Sequence, residues 1–171
     1  MGEEKTLFNQ VDESLYDAAD KPFDFVDVEG ETALVCESDP SIREKISEAM
    51  KLLDYMITEA ASAKDALKKM RFHTYDVVVL NEHFDTDSPD QNDVLQYLEG
   101  LPMGIRREMF VALVSERFRS MDNMAAFNKS VNLIINTKNI DDVETILKGG
   151  VSENAAFYRV FKETLKKMGK G

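Results

Sequence analysis

Four short apolar runs rich in β-branched residues recur along the chain: Thr32–Cys36, Tyr75–Leu80, Met109–Val114 and Val131–Ile135. None alternates polar with apolar residues, so each reads as a strand buried on both faces. A weaker fifth run is Tyr55–Thr58. Helical patterns lie between them. Ser41–Leu53 sets Ile42, Ile46, Ala49, Met50 and Leu53 three and four residues apart, and Asp39-Pro40 supplies a capping carboxylate and a first-turn proline. Ser62–Met70 carries Ala63, Ala66, Leu67 and Met70 on one face, with Lys64, Lys68 and Lys69 outside. Further helices are expected at Asn92–Leu98, Arg119–Asn128 and Asp141–Lys148, the last closed by Gly149-Gly150. Strand followed by helix, five times over, requires a parallel sheet covered on both faces, hence a doubly wound α/β domain. In such a sheet the functional crevice lies at the carboxyl ends of the strands. Those ends are Glu37-Ser38-Asp39, Asn81-Glu82-His83, Ser115-Glu116 and Asn136-Thr137-Lys138.

Composition narrows the range of partners. A length of 171 residues suits one domain with extensions. A formal charge of −11 argues against direct binding to nucleic acid or to an anionic membrane, both of which need clustered Lys and Arg. Protein or small-molecule partners are expected instead. The single cysteine, Cys36, excludes an internal disulfide framework and fits a reducing cytoplasm. No apolar run is long enough to span a bilayer, and Met1–Lys5 lacks a signal-peptide core, so neither export nor anchoring is expected.

At the four strand ends the chain resembles the receiver domain of bacterial response regulators, over about residues 31 to 148. The segment Ala33–Pro40 looks like that family's first strand and acidic cluster, and Tyr75–Asn81 like its third strand. The resemblance implies a flavodoxin-like five-stranded parallel sheet of order 2-1-3-4-5 and a role in two-component signalling or a phosphorelay. It also implies a division into an N-terminal extension (1–30), the receiver-like domain (31–148) and a C-terminal amphipathic helix (149–171). In a working receiver, two acids after strand one and an aspartate after strand three hold magnesium. A Ser or Thr after strand four and a Lys after strand five bind the phosphoryl group.

Here Ser115 matches the hydroxyl and Glu37 the first acid, and the rest departs. Ser38 stands where the second acid belongs, and a neutral hydroxyl is a poor ligand for a hard dication. Asn81 stands where the phosphoacceptor belongs, and an amide is no nucleophile for phosphoryl transfer. Asn136 replaces the lysine, unless a shifted register offers Lys138. Leu133 takes the place of the aromatic switch residue on strand five. Together these changes read as a degenerate pocket of Glu37, Ser38, Asp39, Asn81, His83, Ser115, Asn136 and Lys138 in a non-phosphorylatable pseudo-receiver, a signalling or scaffolding module that acts through protein contacts. The alternative is a switch that binds a small ligand, an anion or a metal through Glu37, Asp39, Ser115 and Lys138.

Other chemistry is weakly supported. Ser115 has no base, and the chain shows no phosphate-binding glycine loop, nucleophile elbow or Cys-His pair, so no catalysis and no cofactor are expected. His83 beside Glu82 and Asp85 invites a metal reading but lacks a second nitrogen or sulfur ligand at suitable spacing, and His73 stands alone. The acidic stretch Asp85–Asp93 fails as a calcium loop, with Pro89 at a ligand position and Gln96 where a glutamate belongs, and reads as a solvated loop.

The ends carry apolar faces. Val11, Leu15 and Ala18 share a helical face, and Phe23–Val28 has β-like composition that suits an edge strand or a packed arm. Ser152–Met168 reads as an amphipathic helix with Phe157, Val160, Phe161, Leu165 and Met168 on one side. That stripe must cover a face of its own domain, pair with a second copy in a homodimer, or meet another partner. Met121 and Met124 near Phe127 mark a second adaptable apolar surface, on the face that serves receivers for output. The expected interaction surface is therefore Met121, Met124, Leu133, Phe157, Phe161 and Leu165.

Overall fold

The apolar runs assemble into one sheet in a computed structural model that describes residues 30–169. The expectations for Val11, Leu15, Ala18 and the 23–28 stretch lie outside the described residues. Five parallel strands stand in the order β2-β1-β3-β4-β5: β1 Thr32–Cys36, β2 Met56–Glu59, β3 Val77–Asn81, β4 Phe110–Ser115 and β5 Leu133–Asn136. The doubly wound sheet expected from the sequence is present, including the weak fifth strand, which lies at one edge and is half-buried.

Successive residues of each strand enter opposite cores. Leu34, Val78, Leu80, Val111, Leu113 and Ile134 pack under α2 (Ala63–Phe72), α3 (Asp93–Glu99) and α4 (Asn123–Asn128). On the other face, Val35, Val77, Val79, Val114 and Ile135 meet α1 (Pro40–Leu52) and α5 (Val143–Lys167) through Ile46, Met50, Val143 and Leu147. Each fully buried Val, Leu or Ile contributes about 1.5–3 kcal/mol, which explains why the central strands cannot alternate with polar residues. Local signals fix the helix starts. Asp39 accepts the Ser41 and Ile42 amides at 2.8 and 3.2 Å, Ser62 accepts Asp65 N–H at 3.0 Å, and Asn92 accepts Leu95 N–H at 3.0 Å.

Two helical expectations need correction. The fourth helix starts at Asn123, not Arg119, because Met121 has φ 61°, in the left-handed region, and Asp122 then caps a new start. A single turn, Met103–Arg106, also forms after Pro102, in a stretch for which no element was expected. Most consequentially, Gly149-Gly150 does not close a helix. α5 runs unbroken through both glycines, so the extra C-terminal helix is present as the second half of a 25-residue helix. The reason is packing: a Cβ on Gly150 would lie 3.0 Å from Leu133 Cδ2 and from Phe110 Cζ. Glycine serves there for close approach of helix to sheet, not as a terminator. Beyond Val151 the helix outruns its cover. Phe157 and Val160 are 79% and 67% exposed, so the described residues leave much of the apolar stripe uncovered.

Two substitutions separate these roles. Gly150→Val should cost about 1–3 kcal/mol in urea denaturation through overpacking against Leu133 and Phe110. Gly149→Ala, whose Cβ would meet nothing within 4 Å, should gain roughly 0.5–1 kcal/mol from helix propensity.

Candidate functional site

Parallel pairing brings four strand ends to one edge. Cys36 stands level with Leu80, Asn81 with Val114 and Ser115 with Asn136, so Glu37 and Asn81 share one level of this edge, and Ser115 and Asn136 stand together one residue further along. The row divides into two hydrogen-bonded groups.

The first joins β1 to β3. Asn81 Nδ2 donates to Glu37 Oε2 at 2.6 Å, while Asp39 N–H donates to Glu37 Oε1 at 3.0 Å. Asn81 Oδ1 accepts His83 N–H at 2.8 Å. These bonds fix the amide orientation, since the carboxylate requires a donor and the backbone N–H an acceptor. Glu37 is buried, and both oxygens of its side chain accept hydrogen bonds from these neutral groups. Asp39 turns away to cap α1, and Ser38 is exposed. His83 is exposed as well, and Asp85 accepts Ala63 N–H at 2.9 Å at the start of α2. Among the described residues, no group of three His, Cys, Asp or Glu side chains could hold a metal ion.

The second group centres on Glu82, which the sequence places at the end of β3 but not among the expected pocket residues. Its side chain is 1% exposed. Ser115 Oγ donates to Glu82 Oε1 at 2.7 Å, and Arg117 Nε donates to Oε2 at 3.0 Å. Ser115 Oγ in turn accepts the amides of Arg117 and Phe118 at 3.1 and 3.2 Å. Arg117 lies over the Phe118 ring at 4.6 Å and reaches Asp90 at 3.3 Å, where Lys129 also arrives at 3.3 Å. Burial opposes the Arg117 charge, but hydrogen bonds and Coulombic attraction from Glu82 and Asp90 raise its pKa above the ordinary value. Hydrogen bonds from Lys129 and Arg117 hold the Asp90 carboxyl below the usual range. Thus the 85–93 stretch is tied down at Asp90, within the short 3-10 turn Pro89–Gln91. Asn92 adds a brace, donating to the carbonyls of Asn81 and Glu82 at 3.3 and 3.0 Å.

Asn136 laces loops together. Its Nδ2 donates to Phe118 O at 2.8 Å and Glu116 O at 3.3 Å, and its Oδ1 accepts Lys138 N–H at 2.9 Å. Lys138 itself is exposed. Cys36 is fully buried beneath the row, and burial drives its thiol pKa far above the ordinary value.

The candidate interaction residues separate differently. Met121, Met124 and Phe127 are exposed on and beside α4, while Phe157 and Phe161 are exposed on α5 and Leu165 is partly covered. Leu133 differs: it is 7% exposed, wedged between Phe110 and Gly150, and forms the floor of a groove of about 550 Å³ that Met121 and Phe157 flank. Its side chain supports this surface from beneath.

With this geometry the chain matches solved receiver domains over nearly their whole length. A response regulator receiver domain protein (CheY-like) from Methanospirillum hungatei aligns with a TM-score of 0.56 and 18% identity, covering 75% of this chain and 98% of that one. The chain has the receiver fold. A receiver domain from Francisella aligns at 0.56 and 16% identity over 72% of this chain and 98% of that one. An adenylate cyclase from Rhodopirellula baltica aligns at 0.58 and 17% identity over 81% and 99%. No model of a protein family and no curated protein matches the sequence.

Glu37 and Asn81 meet directly through a hydrogen bond. Placing an acid at position 81 should therefore be costly. Asn81→Asp sets two carboxylates where a 2.6 Å hydrogen bond stood, and should lose about 1–3 kcal/mol in urea denaturation without divalent cations. Magnesium should restore part of that loss in the variant and leave the parent midpoint unchanged.

Proposed function

We propose that this protein is a non-phosphorylatable receiver-like signalling or scaffolding module that acts through protein–protein contacts. The observation that carries the proposal is the Glu82 carboxylate hydrogen-bonded to Ser115 at 2.7 Å. In a phosphorylatable receiver the hydroxyl at this strand end engages a phosphoryl oxygen. Here an internal carboxylate, charge-paired with Arg117, already engages it. Bonds to charged partners contribute about 1.5–3 kcal/mol each, so an incoming anion must displace a bound one and bury its own charge beside Glu82. Asn81 supports the same reading from β3, since it offers an amide where phosphoryl transfer needs an anionic oxygen.

The ligand-switch reading fares less well, because most of its residues are engaged. Glu37 accepts from Asn81 and Asp39, Asp39 caps α1, Ser115 is held by Glu82, and Lys138 is exposed. The working surface is instead the face built from α4, β5 and α5. Phe127 and Met124 there are 79% and 69% exposed and stand near Met121, 62% exposed, so the exposed apolar residues are grouped and not scattered singly.

Incubation with a small-molecule phosphodonor and magnesium, followed by intact-mass measurement, tests the reading. The mass should remain that of the unmodified chain. A single stable phosphate, accompanied by amide shifts at residues 81 and 115, would overturn it.

A further inference from the structure

The exposed half of α5 differs from the rest of the protein in charge as well as in cover. From Val151 to Gly169 it carries Arg159, Lys162, Lys166 and Lys167 against only Glu153 and Glu163, in a chain whose net charge is −11. In its stripe, Phe157 and Val160 are 79% and 67% exposed among the described residues, and Arg107 lies 4.6 Å over the Phe161 ring. An apolar stripe on a basic helix suits an acidic, aromatic chain.

Residues 1–29 have that chemistry. They hold nine carboxylates against Lys5 and Lys21, and the stretch Phe23-Asp24-Phe25-Val26-Asp27-Val28 interleaves aromatic and β-branched residues with aspartates. They also leave the domain at the right end. Gly30, with φ 141°, turns the chain just before β1, and the register sets Ala33 level with Val77 and Phe110. Phe110 and Leu133 are the residues against which Gly150 packs, so α5 emerges at that same end. Three interstrand spacings, about 14 Å, separate β1 from β5. Six extended residues span about 20 Å.

We propose that residues 1–29 dock on the exposed stripe of α5 within the same chain, with Phe23 and Phe25 against Phe157 and Phe161 and the acidic side chains of the segment toward the basic residues of the helix. The tether decides between this occupant and a second copy. A short covalent connection gives an effective concentration in the millimolar range, so the internal contact outcompetes self-association at ordinary concentrations. Pairing two copies through this stripe would also bring two acidic domains together. The docked segment would act as a built-in competitor that a partner must displace from this face. This inference stands independently of whether the pocket takes phosphate.

The test uses the full chain with a nitroxide at Asp20→Cys, which Cys36 does not confuse because it is fully buried. Amide signals of residues 155–167 should be broadened at least about twofold relative to the reduced label, and Phe23→Ser with Phe25→Ser should abolish the broadening while leaving the sheet signals in place. Mixing unlabelled-isotope, nitroxide-bearing chains with isotope-labelled, nitroxide-free chains should give no broadening. Broadening in the mixture would make a second copy the occupant and overturn the proposal. So would its absence in the single chain, or its survival in the double serine variant.

Discussion

Parallel hydrogen bonding across β1, β3, β4 and β5 is the constraint from which the site follows. Once the strands are level, every residue just past a carboxyl end becomes a neighbour of the others, whatever its chemistry. Glu37, Asn81, Glu82, Ser115 and Asn136 are thus brought together by backbone register, and their side chains must satisfy one another because the edge is largely buried. They do so with an amide-to-carboxylate bond on one side and a hydroxyl–carboxylate–guanidinium group on the other. The row is a closed set of donors and acceptors.

Much of the fold was legible because the burial pattern is severe. Val77, Val78, Val79 and Leu80 sit alternately in two different cores, and only a strand between two helical layers demands four such residues in succession. Asp39, Ser62 and Asn92 likewise announce their helices through capping chemistry that acts within three residues. Gly149-Gly150 misled for a definable reason. A glycine at a helix end and a glycine at a close helix–sheet crossing leave the same trace in sequence, and only the positions of Leu133 and Phe110 tell them apart. The start of α4 was misjudged because the left-handed residue there is Met121, a type that gives no sign of that conformation.

The site was legible in its positions and not in its pairings. Asn81, Ser115 and Asn136 stand at strand ends that the alternation alone locates. Glu82 was hidden because an acid directly after a strand ordinarily points into water, and its real partner, Arg117, lies 35 residues away on another loop. One signal was available: both β3 and β4 are followed within two residues by opposite charges, Glu82 and Arg117, at neighbouring strand ends. Adjacent strands that finish in opposite charges are candidates for a buried pair. Fixed order of that kind also explains why the acidic 85–93 loop is less free than its composition suggests.

The continuity of α5 carries a mechanical consequence. Its first turns are clamped between α1 and the sheet, and nothing interrupts the backbone hydrogen bonding before Lys167. About 25 Å of helix therefore extends past Gly150 as a lever whose fulcrum is the glycine crossing. A tilt of about 10° at that crossing sweeps the far end through about 4 Å. Small adjustments of packing against Leu133 and Phe110 would be magnified into displacements large enough to make or break contacts at the tip. Gly150, which lets the helix lie close to the sheet, thus sets the point about which its outer half can swing.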